Sequence, residues 1–268
     1  QPESLSLCDE SQELLSSFEA SFATDQVESV DAAIKAILGS GDPDLLIEVT
    51  RGCTLDDDGF FMTGPCFPFP YWADSLKPDP FLFDDYSQAW NTCDFDSTGQ
   101  FYSDATLPHY ALLRLMGHLT EDERFHPSLR KENVRRLHVL LPGRLPPEIG
   151  TFSELEELHV PQCSLERLPA EIGQLKKLKI LCLDGNELIS LAPEVGGLNE
   201  LQCLGLQGNS LAELPSEISQ LSELRVLDLG DNPLAPMPLE FWNMKNLEFI
   251  GLRQPGKDLD DLLEAMIS

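Results

Sequence analysis

The chain has 268 residues, 42% of them apolar and 24% charged, which is room for two domains of ordinary size. Its 46 acids against 18 bases give a net charge of −28. Such a field repels phosphate backbones, so it argues against nucleic acid and membranes as partners and would steer in a basic protein.

No apolar run approaches the ~18 residues of a membrane-spanning helix. The seven cysteines form no C-x-x-C pair, and no N-x-S/T sequon occurs. That usage suits reduced thiols in a cytoplasmic, intracellular or bacterial setting better than a disulfide framework.

Residues 1–133 carry 25 acids and 7 bases. They read as an acidic mixed α+β domain, mostly helical, that matches no motif family. Helical spacing of apolar residues covers 10–22 and 27–38, the second ended by Gly39-Ser40-Gly41. Asp42-Pro43 opens a short helix through Val49, with proline in its first turn. Residues 107–119 predict a further apolar-faced helix that starts at Pro108.

Between these helices, residues 53–102 hold 13 of the 21 aromatics, and five prolines interrupt residues 65–80. Cys53-Thr-Leu-Asp56-Asp-Asp-Gly59-Phe-Phe61 is echoed by Cys93-Asp-Phe-Asp96-Ser-Thr-Gly99-Gln-Phe101. Asp followed by Gly three residues on is a turn signature, so each copy reads as a hairpin. Calcium is the rejected alternative, because Pro65 and Ala105 stand where a bidentate glutamate belongs. No nucleophile elbow, H-E-x-x-H, phosphate loop or kinase motif occurs, so the chain reads as no enzyme. The rival reading is an enzyme with its active site in residues 1–133 and the repeats as a targeting arm. Unusual thiol reactivity at Cys53, Cys66 or Cys93 would favour that rival.

From Val134 onward one pattern recurs, roughly L-x-x-L-x-L-x-x-N-x-L-x-x-L-P-x-E-I-x-x-L. Its rows open at Val134, Leu155, Leu178, Leu201 and Leu224, with a partial row at Leu247, and the openings are spaced by 21 and then four times by 23 residues. The L-x-L alternation predicts a strand in each row. Asn186, Asn209 and Asn232 turn the chain and satisfy backbone groups inside the coil, with Cys163 in the equivalent place of its row. The L-P-x-E-I-x-x-L stretch predicts a short helical turn.

These residues resemble the leucine-rich repeats, in particular the L-P-x-x-I-x-x-L subclass of intracellular Ras-group and bacterial proteins, over residues 134–255. The resemblance implies an α/β solenoid with a parallel sheet on its concave face, turns on its convex face, and protein binding as its activity. Two departures stand out. Row one lacks two residues and the asparagine, which predicts an irregular entry coil. Row three has Ala192 in place of the proline.

Glu148, Glu171, Glu194, Glu217 and Glu240 recur at one position. In the first turn of a helical segment a carboxylate complements free N–H groups, so folding accounts for this ladder. Function is sought instead among the sheet positions that vary between rows. One column runs His138, His159, Cys182, Gly205, Asp228 and Gly251, the other Arg136, Glu157, Ile180, Cys203, Val226 and Phe249. His138, His159 and Cys182 are good metal ligands. A regular column nevertheless holds side chains parallel, so neither a metal nor any other cofactor is read there.

The second column is charged at the entry and predicts a line of exposed apolar side chains toward the exit, beside surface cleared by glycines. Together with Asp184, Asp228 and Arg253 these positions form the candidate partner-binding face. Residues 256–268 read as an amphipathic C-terminal capping helix. The whole predicts a non-catalytic protein-binding module. A bacterial effector or immunity-type protein masking a basic target is the alternative.

Overall fold

The computed structural model describes residues 7–24, 26–51, 53–55, 61–62, 103–119, 125–139, 141, 143–234, 241 and 244–252. The second aromatic echo, Glu240, Arg253 and the C-terminal segment 256–268 lie outside the described residues.

Helix α1 (Asp9–Ser21) starts at Cys8, whose sulfur accepts the Ser11 N–H, and carries Asp9 and Glu10 in its first turn. Helix α2 (Val27–Ser40) ends at Gly41 with φ 64°, the left-handed cap that glycine provides without strain. Asp42 caps α3 (Pro43–Val49) by accepting the N–H groups of Asp44 at 2.9 Å and Leu45 at 3.4 Å. Phe18 and Phe22 meet edge to face at 5.0 Å in this cluster.

Strands β1 (Thr54–Leu55) and β2 (Phe61–Met62) pair antiparallel, so the first echo copy does form a hairpin. Helix α4 (Ser103–Met116) begins earlier than the proline suggests. Pro108 gives up its own bond to the carbonyl four residues back and crowds that carbonyl, a cost that falls near the helix start where few bonds depend on it. No described helix is long and apolar enough to cross a membrane.

The repeat half builds a six-stranded parallel sheet from β3 (Arg136–His138), β4 (Glu157–His159), β5 (Ile180–Cys182), β6 (Cys203–Gly205), β7 (Val226–Asp228) and β8 (Phe249–Gly251), in that spatial order. Register is one residue to one residue throughout, so Leu137, Leu158, Leu181, Leu204, Leu227 and Ile250 form one inward row. Four 3₁₀ turns, Pro147–Thr151, Ala170–Gln174, Pro193–Gly197 and Ser216–Gln220, stack on the outer face. Ala192 precedes the third turn with φ −65°, matching the −66° of Pro215, so the missing proline leaves the path unchanged.

Inside the coil the asparagines tie neighbouring rows together. The Asn186 amide donates to the carbonyls of Val160 (2.7 Å) and Leu183 (2.8 Å), while its oxygen accepts N–H groups of Cys163 (2.9 Å) and Leu165 (3.0 Å). Asn209 and Asn232 repeat this one row on. Cys163 substitutes weakly: its sulfur accepts the Leu141 N–H at 3.2 Å and its thiol faces the Val139 and Pro161 carbonyls. Gly143, at φ 75°, closes the shortened first coil by donating to the Cys163 carbonyl at 2.9 Å.

The helices and the solenoid share one apolar core that runs from Leu7 to Phe241. Helix α4 lies between α2 and the first outer turn. The approach is close enough that a Cβ on Gly117 would stand 2.7 Å from the Cβ of Glu148.

Candidate functional site

The predicted columns exist as read. Register places Arg136, Glu157, Ile180, Cys203, Val226 and Phe249 side by side, and His138, His159, Cys182, Gly205, Asp228 and Gly251 beside them. Their exposure differs from the expectation. Phe249 is 46% exposed and Ile180 half-buried, but Cys203 (7%) and Val226 (5%) are buried. In a column of strands ~4.8 Å apart a short side chain is shielded by its larger neighbours, so the apolar line is continuous but not uniformly open. Cys182, at 7%, is covered in the same way.

At the entry end the Arg136 guanidinium donates to the Glu157 carboxylate at 3.0 Å, and His159 lies 3.8 Å from the same group. The imidazoles of His138 and His159 stack at 4.1 Å with only 10° between planes. Parallel rings set their nitrogens side by side, and among the described residues no group of three His, Cys, Asp or Glu is placed to hold a metal ion. Burial, with the neighbouring His159 charge second, pushes His138 down to about 3, so it is neutral at physiological pH. Cys8, Cys163 and Cys203 are free thiols, and burial pushes Cys163 up to about 11.

The exit end is acidic. Asp184 accepts the Gln207 backbone N–H at 2.8 Å and faces the Cys182 thiol at 3.3 Å. Burial, with Asp228 adding its charge, pushes Asp184 up to about 7. Asp228 accepts the Gly230 N–H at 3.0 Å and is also raised by burial. Its carboxylate occupies the space of a side chain on the next strand, since a Cβ on Gly251 would come within 2.3 Å of it. Along the strand entrances the cations are already spoken for: Arg135 pairs with Glu154, Lys179 with Glu156, and Arg225 with Glu248 at 2.9 Å.

One cluster was not legible in the chain. Asp31 of α2 accepts from the Tyr110 hydroxyl (2.9 Å), from Arg114 and from Arg144 (2.7 Å). Arg114 also donates to Glu148, at 3.1 Å from Nε and 3.0 Å from Nη2. Burial and the Asp31 carboxylate push the Tyr110 phenol up to about 12. The first rung of the glutamate ladder thus anchors the helices on the outer turn of the solenoid, away from the sheet face. Glu171, Glu194 and Glu217 occupy the first turns of their 3₁₀ segments, as folding alone requires.

Parallel strands at a 23-residue period, asparagine rungs and stacked outer turns make residues 134–252 a leucine-rich-repeat solenoid. No protein-family model matches the chain, and no curated protein matches it. Among solved structures it is similar to a leucine-rich-repeat protein of Leptospira interrogans, with 31% identity, TM-score 0.41, and coverage of 48% of this chain and 40% of that one. It is also similar to the plant peptide hormone receptor RGFR1, solved in complex with RGF2, at 28% identity and TM-score 0.35 over 45% of this chain and 24% of that one. A third is the leucine-rich-repeat ectodomain of the receptor kinase SOBIR1 from Arabidopsis thaliana, at 28% identity and TM-score 0.39 over 45% and 66% of the two chains. The match spans less than half of the Leptospira protein's length.

Proposed function

We propose that the chain is a non-catalytic module that binds a protein partner through its sheet face. The observation that carries this reading is the placement of the helices. Among the described residues they dock on the outer turn Pro147–Thr151 through Arg114 and Glu148, on the opposite side of the coil from the variable columns of the sheet. Phe249, 46% exposed at the exit end, is the large apolar side chain such an interface would bury. The free thiols suit a reducing compartment.

The test is capture of a partner from the native host by the wild-type chain and by Phe249→Glu, at low and high salt. Loss of the partner with Phe249→Glu at an unchanged melting temperature supports the sheet face. Retention by the variant counts against it. A partner held only at low salt, and indifferent to Phe249, favours the charge-masking alternative. Val226 is no substitute for Phe249 in this test, because a charge at a buried site would unfold the coil.

A further inference from the structure

The two ends of the solenoid are closed differently. Val134, Leu137 and Val139 are the inward side chains of the first row, and Leu224, Leu227 and Leu229 are those of the fifth. All six are at most 3% exposed. Their counterparts in the last row, Leu247, Ile250 and Leu252, pack on the same core but are only half-buried. The inward face of each row is covered by the next row, and among the described residues no strand follows β8.

At the entry a helix stands in for the missing neighbour. Leu112-x-x-x-Met116-Gly117-x-Leu119 of α4 reproduces Leu145-x-x-x-Ile149-Gly150-x-Phe152 of the first outer turn. The Leu119 N–H donates to the Met116 carbonyl at 3.2 Å, as the Phe152 N–H does to that of Ile149. A Cβ on Gly117 would stand 2.7 Å from that of Glu148, and one on Gly150 would stand 2.8 Å from that of Glu171. The last turn of α4 therefore stacks on the first row as one outer turn stacks on the next. Among the described residues the last row has no such stand-in.

The sequence supplies an apolar face directly after that row. Pro255-Gly256 interrupts the strand direction. Leu259, Leu262, Leu263 and Met266 then follow at the i, i+3, i+4, i+7 spacing of one helical face. Asp258, Asp260 and Asp261 fall at its start, where free N–H groups favour carboxylates. A segment tethered by a few residues meets the exit row at an effective concentration on the order of millimolar. A second copy would instead have to bring another charge of −28 against this one.

We infer that residues 256–268 fold back as a helix across the exit end and bury the half-open last row beneath their leucine face. The chain thus closes its own exit as α4 closes its entry, and it offers a partner no end-on core.

The test is hydrogen exchange read by mass spectrometry on the full chain, with sedimentation for oligomeric state. Wild type is compared with Leu259→Asp/Leu263→Asp on the apolar face and with Asp261→Asn/Glu264→Gln on the opposite one. Amides of 247–252 and 258–267 should exchange at least about ten-fold faster in the first variant than in wild type, and as in wild type in the second. Rows at 155–183 should be unchanged in all three chains, which shows that the coil is still folded. Residues 258–267 exchanging at the unstructured rate in wild type, or 247–252 indifferent to the aspartates, would overturn the closure. A wild-type dimer whose 247–252 protection grows with protein concentration gives the exit to a second copy and overturns it too. No partner enters the readout, so its failure leaves the sheet-face reading standing.

Discussion

Asn186, Asn209 and Asn232 are among the few buried polar side chains of the solenoid, and each satisfies backbone groups in two rows at once. Asn209→Ala orphans the Leu188 N–H and takes one of two amide donors from each of the carbonyls of Leu183 and Leu206, which Asn186 and Asn232 still serve. A loss of about 3 kcal/mol in denaturant unfolding is expected. Cys163→Ala removes only sulfur contacts and should cost about 1 kcal/mol. Equal costs would show that the rung is a matter of packing rather than hydrogen bonding.

At the same scale, Asp184 titrates near 7 in the folded chain against 3.8 for an ordinary aspartate. The folded state keeps a proton that the unfolded state releases, so this group's contribution is whole below about pH 4 and is lost as pH rises through 7. Asp184→Asn should therefore raise stability at pH 8, by roughly 1–3 kcal/mol, and change nothing at pH 4. His138 acts in the opposite sense. Its folded value near 3 lies below the ordinary 6.5, so its contribution is whole above that value and fades as pH falls toward 3. A melting curve for Asp184→Asn that runs parallel to wild type from pH 4 to 8 would refute the assignment.

Among elements, the joint between α4 and the first outer turn depends on a few charges held out of water. Arg114 is shared by Asp31 and Glu148, whose side chains are 28% and 12% exposed, so removing it takes the guanidinium from the largely buried Glu148 and leaves Asp31 with Arg144 and Tyr110. Arg114→Met should cost about 2–3 kcal/mol, whereas Glu194→Gln, at the same repeat position as Glu148 but exposed, should stay within about 0.5 kcal/mol. Similar costs for the two would mean that the rung at 148 is no different from the others.

The contrast also shows what sequence patterning conveys. Strands, register and the two sheet columns were legible because a solenoid repeats each side chain's environment once per row. The role of Glu148 was not, because its partners are Arg114 and, through it, Asp31 on helices with no repeat to mark them. Exposure within a column was hidden too: Cys203 and Val226 are covered by neighbours whose size, not whose pattern, decides the matter.

For the molecule as a whole, a solenoid holds each row only through its neighbours, so an uncovered terminal row exposes core. At the entry end α4 supplies the cover: Leu112, Leu113, Leu115 and Met116 are fully buried, and they belong to the same apolar cluster as Leu137, Ile149 and Phe152 of the first row. Large-to-small change at such sites costs 2–5 kcal/mol, and removing the whole helix is more severe. A chain lacking residues 1–119 should melt well below the full chain, bind an apolar dye at its entry end, and lose the sharpness of its single transition. Phe249→Glu, at the exit end, should leave the transition where it was. If instead the shortened chain unfolds at the wild-type temperature with no dye bound, the helices are a passenger on the repeats, and the shared core from Leu7 to Phe241 contributes no cooperativity.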